Sequence, residues 1–266
     1  MKIIRYFIAL WLTVPISPAA AAEPLRIAAA ASLRPALQEI ARQYEAEANQ
    51  GVRISWAASR VLRRQIAGGA PFDVFLSADE RFVFDLAAEG HARDRGRVYA
   101  RGRLALVAGR TSGLDPDPTL GGLAEFLSAR PAARFAIANP SHAPYGRAAA
   151  AAIEALNLKD AIAPHLVMGE NVSQAAQFVA TRSAAAGLVS LSLALISTRR
   201  GDTRHAVVPE TLYPPLNHRM AVLQRAQPGA AAFYAFMTGG AARAALVRYG
   251  FELPEGPGAQ PGRKGG

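Results

Sequence analysis

The sequence predicts an α/β protein with mostly parallel β-sheets. Short segments typical of strands alternate with helical segments from about residue 25 to residue 250. Several of the predicted strands are continuous apolar runs, as expected for strands that are buried on both faces. A small or polar residue repeatedly follows such a strand where the next helix begins. In sheets of this kind, ligands bind at the carboxyl ends of strands, where helices start.

The first unit of this pattern spans residues 25–48. The apolar run 27–31 predicts a buried strand, and the spacing of apolar residues over 33–44 predicts a helix. Ser32 lies at the predicted N-cap position, and Pro35 lies in the first turn, where proline is tolerated. A small residue at such a junction leaves backbone N–H groups facing a cleft, which favours an anion. For Ser32 considered alone, a simple helix cap is the favoured interpretation.

The rest of the chain continues the alternation. Further strands are predicted at 51–57, 72–76, 99–108, 135–138, 166–168, 186–190, 206–208 and 213–223, and the strand at 99–108 is interrupted by Gly102. Further helices are predicted at 61–67, 123–129, 147–156, 172–181, 191–198, 229–237 and 241–249, and one more follows the cap candidates Ser77 and Asp79 and ends at Ala88. Residues 109–122, rich in Gly, Pro, Asp and Thr, predict a loop.

Five strand-to-helix junctions are candidates for a shared binding site. They lie at Ser32, Ser59, Tyr145, Val172 and Ser190. Because they come from both halves of the chain, they predict an oxyanion held between two lobes by backbone N–H and hydroxyl groups.

The two ends of the chain differ from the rest. Lys2 and Arg5 precede an apolar run at 7–16 and small residues at 20–22, which predicts a signal peptide over residues 1–22 with cleavage near Ala22. An uncleaved anchor is the lesser alternative. The chain of 266 residues has no cysteine, which excludes disulfides, thiol chemistry and a lipidated cysteine. Residues 254–266 are of low complexity and predict a disordered tail.

Charge and motifs narrow the function. The net charge is +10, but the arginines are scattered and the protein is predicted to be exported, so a nucleic-acid partner is not expected. The sequence contains no catalytic or nucleotide-binding signature, and its five histidines have no metal-ligand spacing. His142 lies in the most loop-like candidate segment, and it is interpreted as a surface or hinge histidine. Since no base lies near Ser32 or Ser59 in sequence, both serines are interpreted as hydrogen-bond donors and not as nucleophiles.

Several motifs together resemble one known family. They are AAAASL at 28–33, S-x-x-L-x-R-Q-I at 59–66, GAPFDVFLSAD at 69–79, ANPSHAPYGRAA at 138–149, GENVSQA at 169–175 and RYGF at 248–251. In this order they are similar to the periplasmic molybdate-binding proteins of ABC importers, which are type II solute-binding proteins. The resemblance implies two α/β lobes that close on a ligand in the cleft between them. It implies a first lobe from 23–104 and 217–253 and a second lobe from 105–216.

The resemblance also implies the ligand contacts. Ser32 and Ser59 would each give a hydroxyl and an N–H, Tyr145 and Val172 would each give an N–H, and the small residue Ala31 would allow close approach of the backbone. Ser190 stands where some family members have a ligand-contacting tyrosine, and it remains a weak candidate.

Arg60 is a second departure from the family pattern. It stands where many family members have Ser or Gly, and we favour a solvent-facing side chain over one that reaches the anion.

The expected function is therefore capture of molybdate, and of tungstate, in the periplasm for an inner-membrane ABC permease. We expect a monomer with no cofactor, no cationic metal site and no enzymatic activity. Two alternatives remain open. The same fold could bind sulfate, phosphonate or a small organic acid, for which Arg60 is the one candidate clamp. An exported enzyme with Ser32 or Ser59 as nucleophile is the second alternative.

Overall fold

The computed structural model describes residues 23–254 as two five-stranded β-sheets with flanking helices. The predicted signal peptide, its cleavage position and all but the first residue of the predicted tail lie outside the described residues. The strands are β1 (Leu25–Ala30), β2 (Val52–Ala57), β3 (Val74–Ser77), β4 (Arg97–Gly102), β5 (Leu104–Gly109), β6 (Phe135–Ala138), β7 (Leu166–Gly169), β8 (Ala186–Ser190), β9 (Thr203–Val207) and β10 (Leu216–Val222).

The helices follow the strands in the predicted alternation. They are α1 (Arg34–Ala48), α2 (Ser59–Ala67), α3 (Glu80–Ala88), α4 (Leu123–Ser128), α5 (Pro144–Ala155), α6 (Lys159–Ile162), α7 (Val172–Ala180), α8 (Leu191–Arg199), α9 (Ala230–Phe236) and α10 (Gly240–Arg248). Short 3₁₀ turns occur at Ala31–Leu33, Ala163–His165 and Glu210–Leu212. Within the described part of the chain, no single helix is long and apolar enough to cross a membrane. One bent pair of helices, α9 with α10, has the combined length and apolar composition of a membrane span.

The two sheets have the same arrangement of strand directions. The first sheet has the order β2-β1-β3-β10-β4, and the second has the order β7-β6-β8-β5-β9. In each sheet, one strand, β10 or β5, pairs antiparallel with both of its neighbours, and the other four strands run in a common direction. This confirms the predicted α/β class with mostly parallel sheets.

The chain passes between the sheets at two places. The predicted strand at 99–108, interrupted at Gly102, is two strands in the structure, because β4 ends at Gly102 and β5 begins at Leu104 in the other sheet. The chain returns between β9 and β10. We call the part of the structure built on the first sheet the first lobe, and the part built on the second sheet the second lobe.

Helix starts also differ from the sequence prediction. Helix α5 begins at Pro144, earlier than predicted, which places Tyr145 in its first turn. Ser32 is not an N-cap: it lies in a 3₁₀ turn, and Leu33 precedes α1. Ser59 is the first residue of α2, and no side chain caps that helix. The predicted cap at Asp79 is confirmed, because its carboxylate accepts a hydrogen bond from the Arg81 N–H.

Candidate functional site

A small cavity lies between the two lobes where several helices begin. It is lined by residues 30–32, 57–59 and Ala78 of the first lobe and by residues 143–145 and 171–172 of the second. Its volume is about 10 Å³, far below the range of about 300–1,000 Å³ that is usual for drug-sized ligands. The cavity is therefore suited to a ligand of a few heavy atoms.

The Ser32 hydroxyl is buried at this cavity without a partner. Ser32 is 1% exposed, and its Oγ has no hydrogen-bond partner within the described residues. Burial raises the pKa of the Tyr145 hydroxyl well above its usual value, and the nearby Ser32 hydroxyl offsets this rise only in part. The two hydroxyls do not form a hydrogen bond of normal geometry. A buried hydroxyl without a partner costs free energy, so the position favours a bound acceptor.

The Ser59 hydroxyl is oriented by a backbone N–H group at the end of β3. Its Oγ accepts a hydrogen bond from the Ala78 backbone N–H at 3.0 Å. Because a serine hydroxyl carries one hydrogen as well as acceptor lone pairs, this contact leaves the hydrogen free to be donated. Ser59 is fully buried at the cavity, so it is a second preoriented hydroxyl donor.

Four backbone N–H groups complete the donor set. Within residues 23–254, no acceptor receives a hydrogen bond from the N–H of Ser32, Ser59, Tyr145 or Val172. Ser59, Tyr145 and Val172 are in the first turns of α2, α5 and α7. Free N–H groups and helix dipoles at N-termini both favour negative charge, so this arrangement can hold an anion.

The lining contains no charged side chain within the described part of the chain. The Asn171 side-chain oxygen is occupied, because it accepts hydrogen bonds from the N–H groups of Ser173 and Gln174 and so caps α7. The site can therefore stabilise an anion only through neutral donors. A proton-bearing anion would need an acceptor as well, and no carboxylate lines the cavity to supply one.

Arg60 and His142 lie outside the cavity lining. The Arg60 guanidinium donates a hydrogen bond to the Ser141 carbonyl at 2.8 Å, and its backbone N–H donates to the His142 carbonyl at 3.3 Å. The His142 ring lies 2.9 Å from the Glu170 carbonyl oxygen. Both residues join the lobes at the rim, and Arg60 is solvent-exposed, as favoured from the sequence.

Ser190 is also absent from the lining, although it is fully buried at the start of α8. The N–H of Leu191, the first residue of α8, donates to the Arg103 carbonyl at 2.8 Å and is therefore not free for a ligand. The Ser190 Oγ lies 3.0 Å from the Ser192 Oγ. Of the six predicted site residues, the structure brings together Ala31, Ser32, Ser59, Tyr145 and Val172 and leaves out Ser190.

The sequence did not reveal the surroundings of the Tyr145 ring. Its hydroxyl lies 3.3 Å from Nε2 of His218 in β10, and it packs closely against Gly102 at the end of β4. Burial lowers the pKa of His218 to about 3, so this histidine is neutral. A possible signal is the alternation of buried Leu216, His218 and Met220, which places a histidine on the apolar face of a strand.

Comparisons with known proteins agree with this geometry. Residues 25–252 match the family model described as bacterial extracellular solute-binding protein. The molybdate-binding protein ModA of Azotobacter vinelandii is 32% identical over 238 residues, covering 88% of this chain and 92% of that protein. ModA of Escherichia coli K12 is 32% identical over 231 residues, covering 86% and 89%. The structure of the A. vinelandii periplasmic molybdate-binding protein matches with a TM-score of 0.77 and 28% identity, over 87% of this chain and all of that chain.

Proposed function

This chain belongs to the bacterial extracellular solute-binding protein family, and from that membership we propose that it captures molybdate, and also tungstate, for an ABC importer. The protein binds its ligand and performs no reaction on it. It acts in the periplasm after removal of residues 1–22, works as a monomer, and delivers the anion to an inner-membrane permease. Its lobes, predicted as 23–104 with 217–253 and 105–216, close on the ligand; Leu104 belongs to the second sheet and Leu216 to the first, one residue from each predicted boundary.

In the proposed complex, each ligand contact is a neutral donor. Ser32 and Ser59 each give a hydroxyl and an N–H, and Tyr145 and Val172 each give an N–H. Ala31 has only a methyl side chain, so the backbone can approach the ligand closely. Ser190 is not a direct ligand in this proposal, because its hydroxyl is engaged with Ser192.

The observation that carries the proposal is the donor set around the cavity. Among residues 23–254, four N–H groups without an acceptor, the oriented Ser59 hydroxyl and the unpartnered Ser32 hydroxyl surround a space that no charged side chain lines. Molybdate and tungstate are tetrahedral dianions without protons at neutral pH, so they need donors only. Phosphate carries a proton at neutral pH, so its O–H donor would face the N–H and hydroxyl donors of the site. Sulfate lacks the proton but is smaller, so it would leave some donors without contact.

An exported serine enzyme is disfavoured by the same contacts. Within the described residues, no histidine, carboxylate or lysine lines the cavity that could act as a base for Ser32 or Ser59. A small organic acid would require an arginine clamp, and the Arg60 guanidinium is bonded at the rim to Ser141.

A thermal-shift titration of residues 23–266 with molybdate, tungstate, sulfate and phosphate tests the proposal. A ligand that binds only the folded state raises the Tm by mass action. We expect molybdate and tungstate at about 100 times their Kd to raise the Tm by about 5–10 °C. Sulfate and phosphate at the same concentrations should produce no shift. A Tm shift with sulfate or phosphate instead would support the anion site but would contradict molybdate as its ligand.

Removing either hydroxyl should weaken molybdate binding. Ser32→Ala and Ser59→Ala each delete one hydrogen bond to a charged ligand, worth about 1–3 kcal/mol, or about 5- to 150-fold in Kd. Isothermal titration calorimetry measures the change, with Ser183→Ala as a control because Ser183 is an exposed serine of the second lobe. Wild-type affinity in both variants would contradict the assigned site.

A further inference from the structure

Two hydroxyls of the second lobe contact the first-lobe loop that carries Ser32. The Ser173 Oγ in α7 lies 3.0 Å from the Ala31 carbonyl oxygen, and the Ser192 Oγ in α8 lies 2.7 Å from the Ser32 carbonyl oxygen. Carbonyl oxygens only accept, so both hydroxyls donate. Two consecutive carbonyls of the binding loop are thus held by groups from across the cleft.

These contacts act on the donors of Ser32 through planar peptide groups. The Ala31 carbonyl and the Ser32 N–H belong to the same rigid peptide unit. A donor on that carbonyl therefore fixes the plane in which the N–H points, and it also polarises the N–H as a donor. The bond from Ser192 fixes the next peptide unit. Together the two contacts set the backbone on both sides of Ser32, and with it the direction of its hydroxyl.

The Ser173 hydroxyl is not needed by its own helix. The Asn171 side chain already caps α7 by accepting from the N–H groups of Ser173 and Gln174. The Ser173 hydroxyl contributes to the first lobe alone, through the Ala31 carbonyl.

Ser190 supports the second contact indirectly. Its Oγ lies 3.0 Å from the Ser192 Oγ, and both residues are buried. The Ser192 hydrogen is directed at the Ser32 carbonyl, so Ser190 must be the donor in the serine pair. The chain of donors from Ser190 through Ser192 ends at the binding loop.

Two side-chain contacts between the lobes at the rim differ from these two. Arg147 pairs with Asp79, and Arg60 bonds to the Ser141 carbonyl, but none of these four residues lines the cavity. Those contacts hold the rim closed without acting on the ligand donors.

We propose that Ser173 and Ser192 are positioning residues that orient the donors of Ser32 when the lobes close. Closure of the cleft and completion of the binding site are then coupled, because these two bonds form only when the lobes meet and they orient the donors of Ser32. This inference rests on the proposed anion-binding function. Its kinetic consequence is that loss of either hydroxyl speeds ligand release without slowing ligand capture by the open protein.

The test compares molybdate binding kinetics of wild type, Ser173→Ala and Ser192→Ala by stopped-flow mixing. We expect each alanine variant to release molybdate about 3- to 10-fold faster, in line with one lost hydrogen bond, with an unchanged association rate. The Tm without ligand should stay at the wild-type value. Ser173→Thr keeps the hydroxyl and should restore slow release, and Ser183→Ala should behave as wild type.

The outcomes separate this inference from the function on which it rests. Wild-type release rates in Ser173→Ala and Ser192→Ala, with normal molybdate binding by wild type, would overturn the positioning role alone. Equal loss in Ser173→Ala and Ser173→Thr would also overturn it, because the hydroxyl would then not be the active group. Failure of the wild type to bind molybdate would overturn the proposed function and this inference together. If Ser192→Ala lowers the ligand-free Tm, the release rate of Ser173→Ala alone tests the positioning role, because Ser173 is half-buried and its loss should not affect folding.

Discussion

Replacing Val172 with proline should weaken molybdate binding by about 100-fold or more, while the ligand-free protein stays folded. Val172 is the first residue of α7, where proline is well tolerated because its missing N–H has no partner within the helix. Asn171 has φ −151° and ψ 172°, an extended conformation that suits a residue before proline. The substitution thus deletes a proposed ligand donor and leaves the N-terminus of α7 intact.

The expected loss has two physical sources. One hydrogen bond from the N–H to a charged ligand disappears, which costs about 1.5–3 kcal/mol. The ring carbon bonded to the proline nitrogen then occupies the space into which the N–H pointed, and the cavity is small enough for this to exclude part of the anion.

Val172→Ala is the matched control for this prediction. It removes side-chain packing at a buried position but keeps the backbone N–H. Calorimetric titration with molybdate should give nearly wild-type affinity for Val172→Ala and a large loss for Val172→Pro. If the two variants bind equally well, the N–H of Val172 is not a ligand donor.

The sequence predicts the fold and the helix starts that meet at the cavity because both depend on local patterns. Alternation of apolar strands with amphipathic helices specifies the sheets, and a small residue at a strand-to-helix junction marks a helix start that faces the cleft. The lining at Ser32, Ser59, Tyr145 and Val172 follows from these patterns combined with the family motifs.

Features that join distant parts of the chain could not be predicted in this way. The contact of Ser192 with Ser32 spans 160 positions, and that of Ser173 with Ala31 spans 142. Both depend on the relative placement of two lobes, for which a single sequence has no periodic signal. The residues at 99–108 predict only an interruption at Gly102, and it is the family resemblance that implies a lobe boundary there, since β4 and β5 are both β segments and their partners alone show that they belong to different sheets.

Ser32 lies at the cavity, as predicted, but it does not cap a helix, as its sequence position suggests. Its position after an apolar strand suggests an N-cap, but the intervening 3₁₀ turn moves the start of α1 to Arg34. The Ser32 hydroxyl therefore makes no bond to its own helix and is left without a partner at the cavity. The failure of the capping interpretation strengthens the interpretation as a ligand donor.

Replacing Gly102 with alanine should weaken molybdate binding by about 5- to 150-fold, through a clash that involves Tyr145. A Cβ at Gly102 would lie 1.9 Å from the Tyr145 hydroxyl oxygen and 3.0 Å from its Cζ and from the His218 Nε2. Gly102 does not have a positive φ, so alanine can adopt its backbone conformation and the clash is the main cost. Overpacking of this kind costs about 1–3 kcal/mol.

The clash should destabilise mainly the closed, ligand-bound protein. Tyr145 belongs to α5 of the second lobe, whereas Gly102 and His218 belong to the first-lobe sheet. If the lobes separate without ligand, the tyrosine ring leaves Gly102 and the added methyl group finds space. Gly102→Ala should therefore lower the molybdate-induced rise in Tm more than it lowers the Tm of the ligand-free protein.

A double-mutant cycle with Tyr145→Phe identifies the clashing group. Tyr145→Phe keeps the backbone N–H that is proposed to contact the ligand, and it removes the oxygen that the new methyl group would strike. Alone it should cost about 1 kcal/mol, because His218 loses its hydrogen-bond partner. In the Gly102→Ala background it should instead recover affinity, with a coupling energy of at least about 1 kcal/mol. Additive losses would mean that Gly102→Ala acts elsewhere than on the Tyr145 hydroxyl. Recovery would show that a glycine on one lobe is required so that a tyrosine on the other can bring its N–H to the anion.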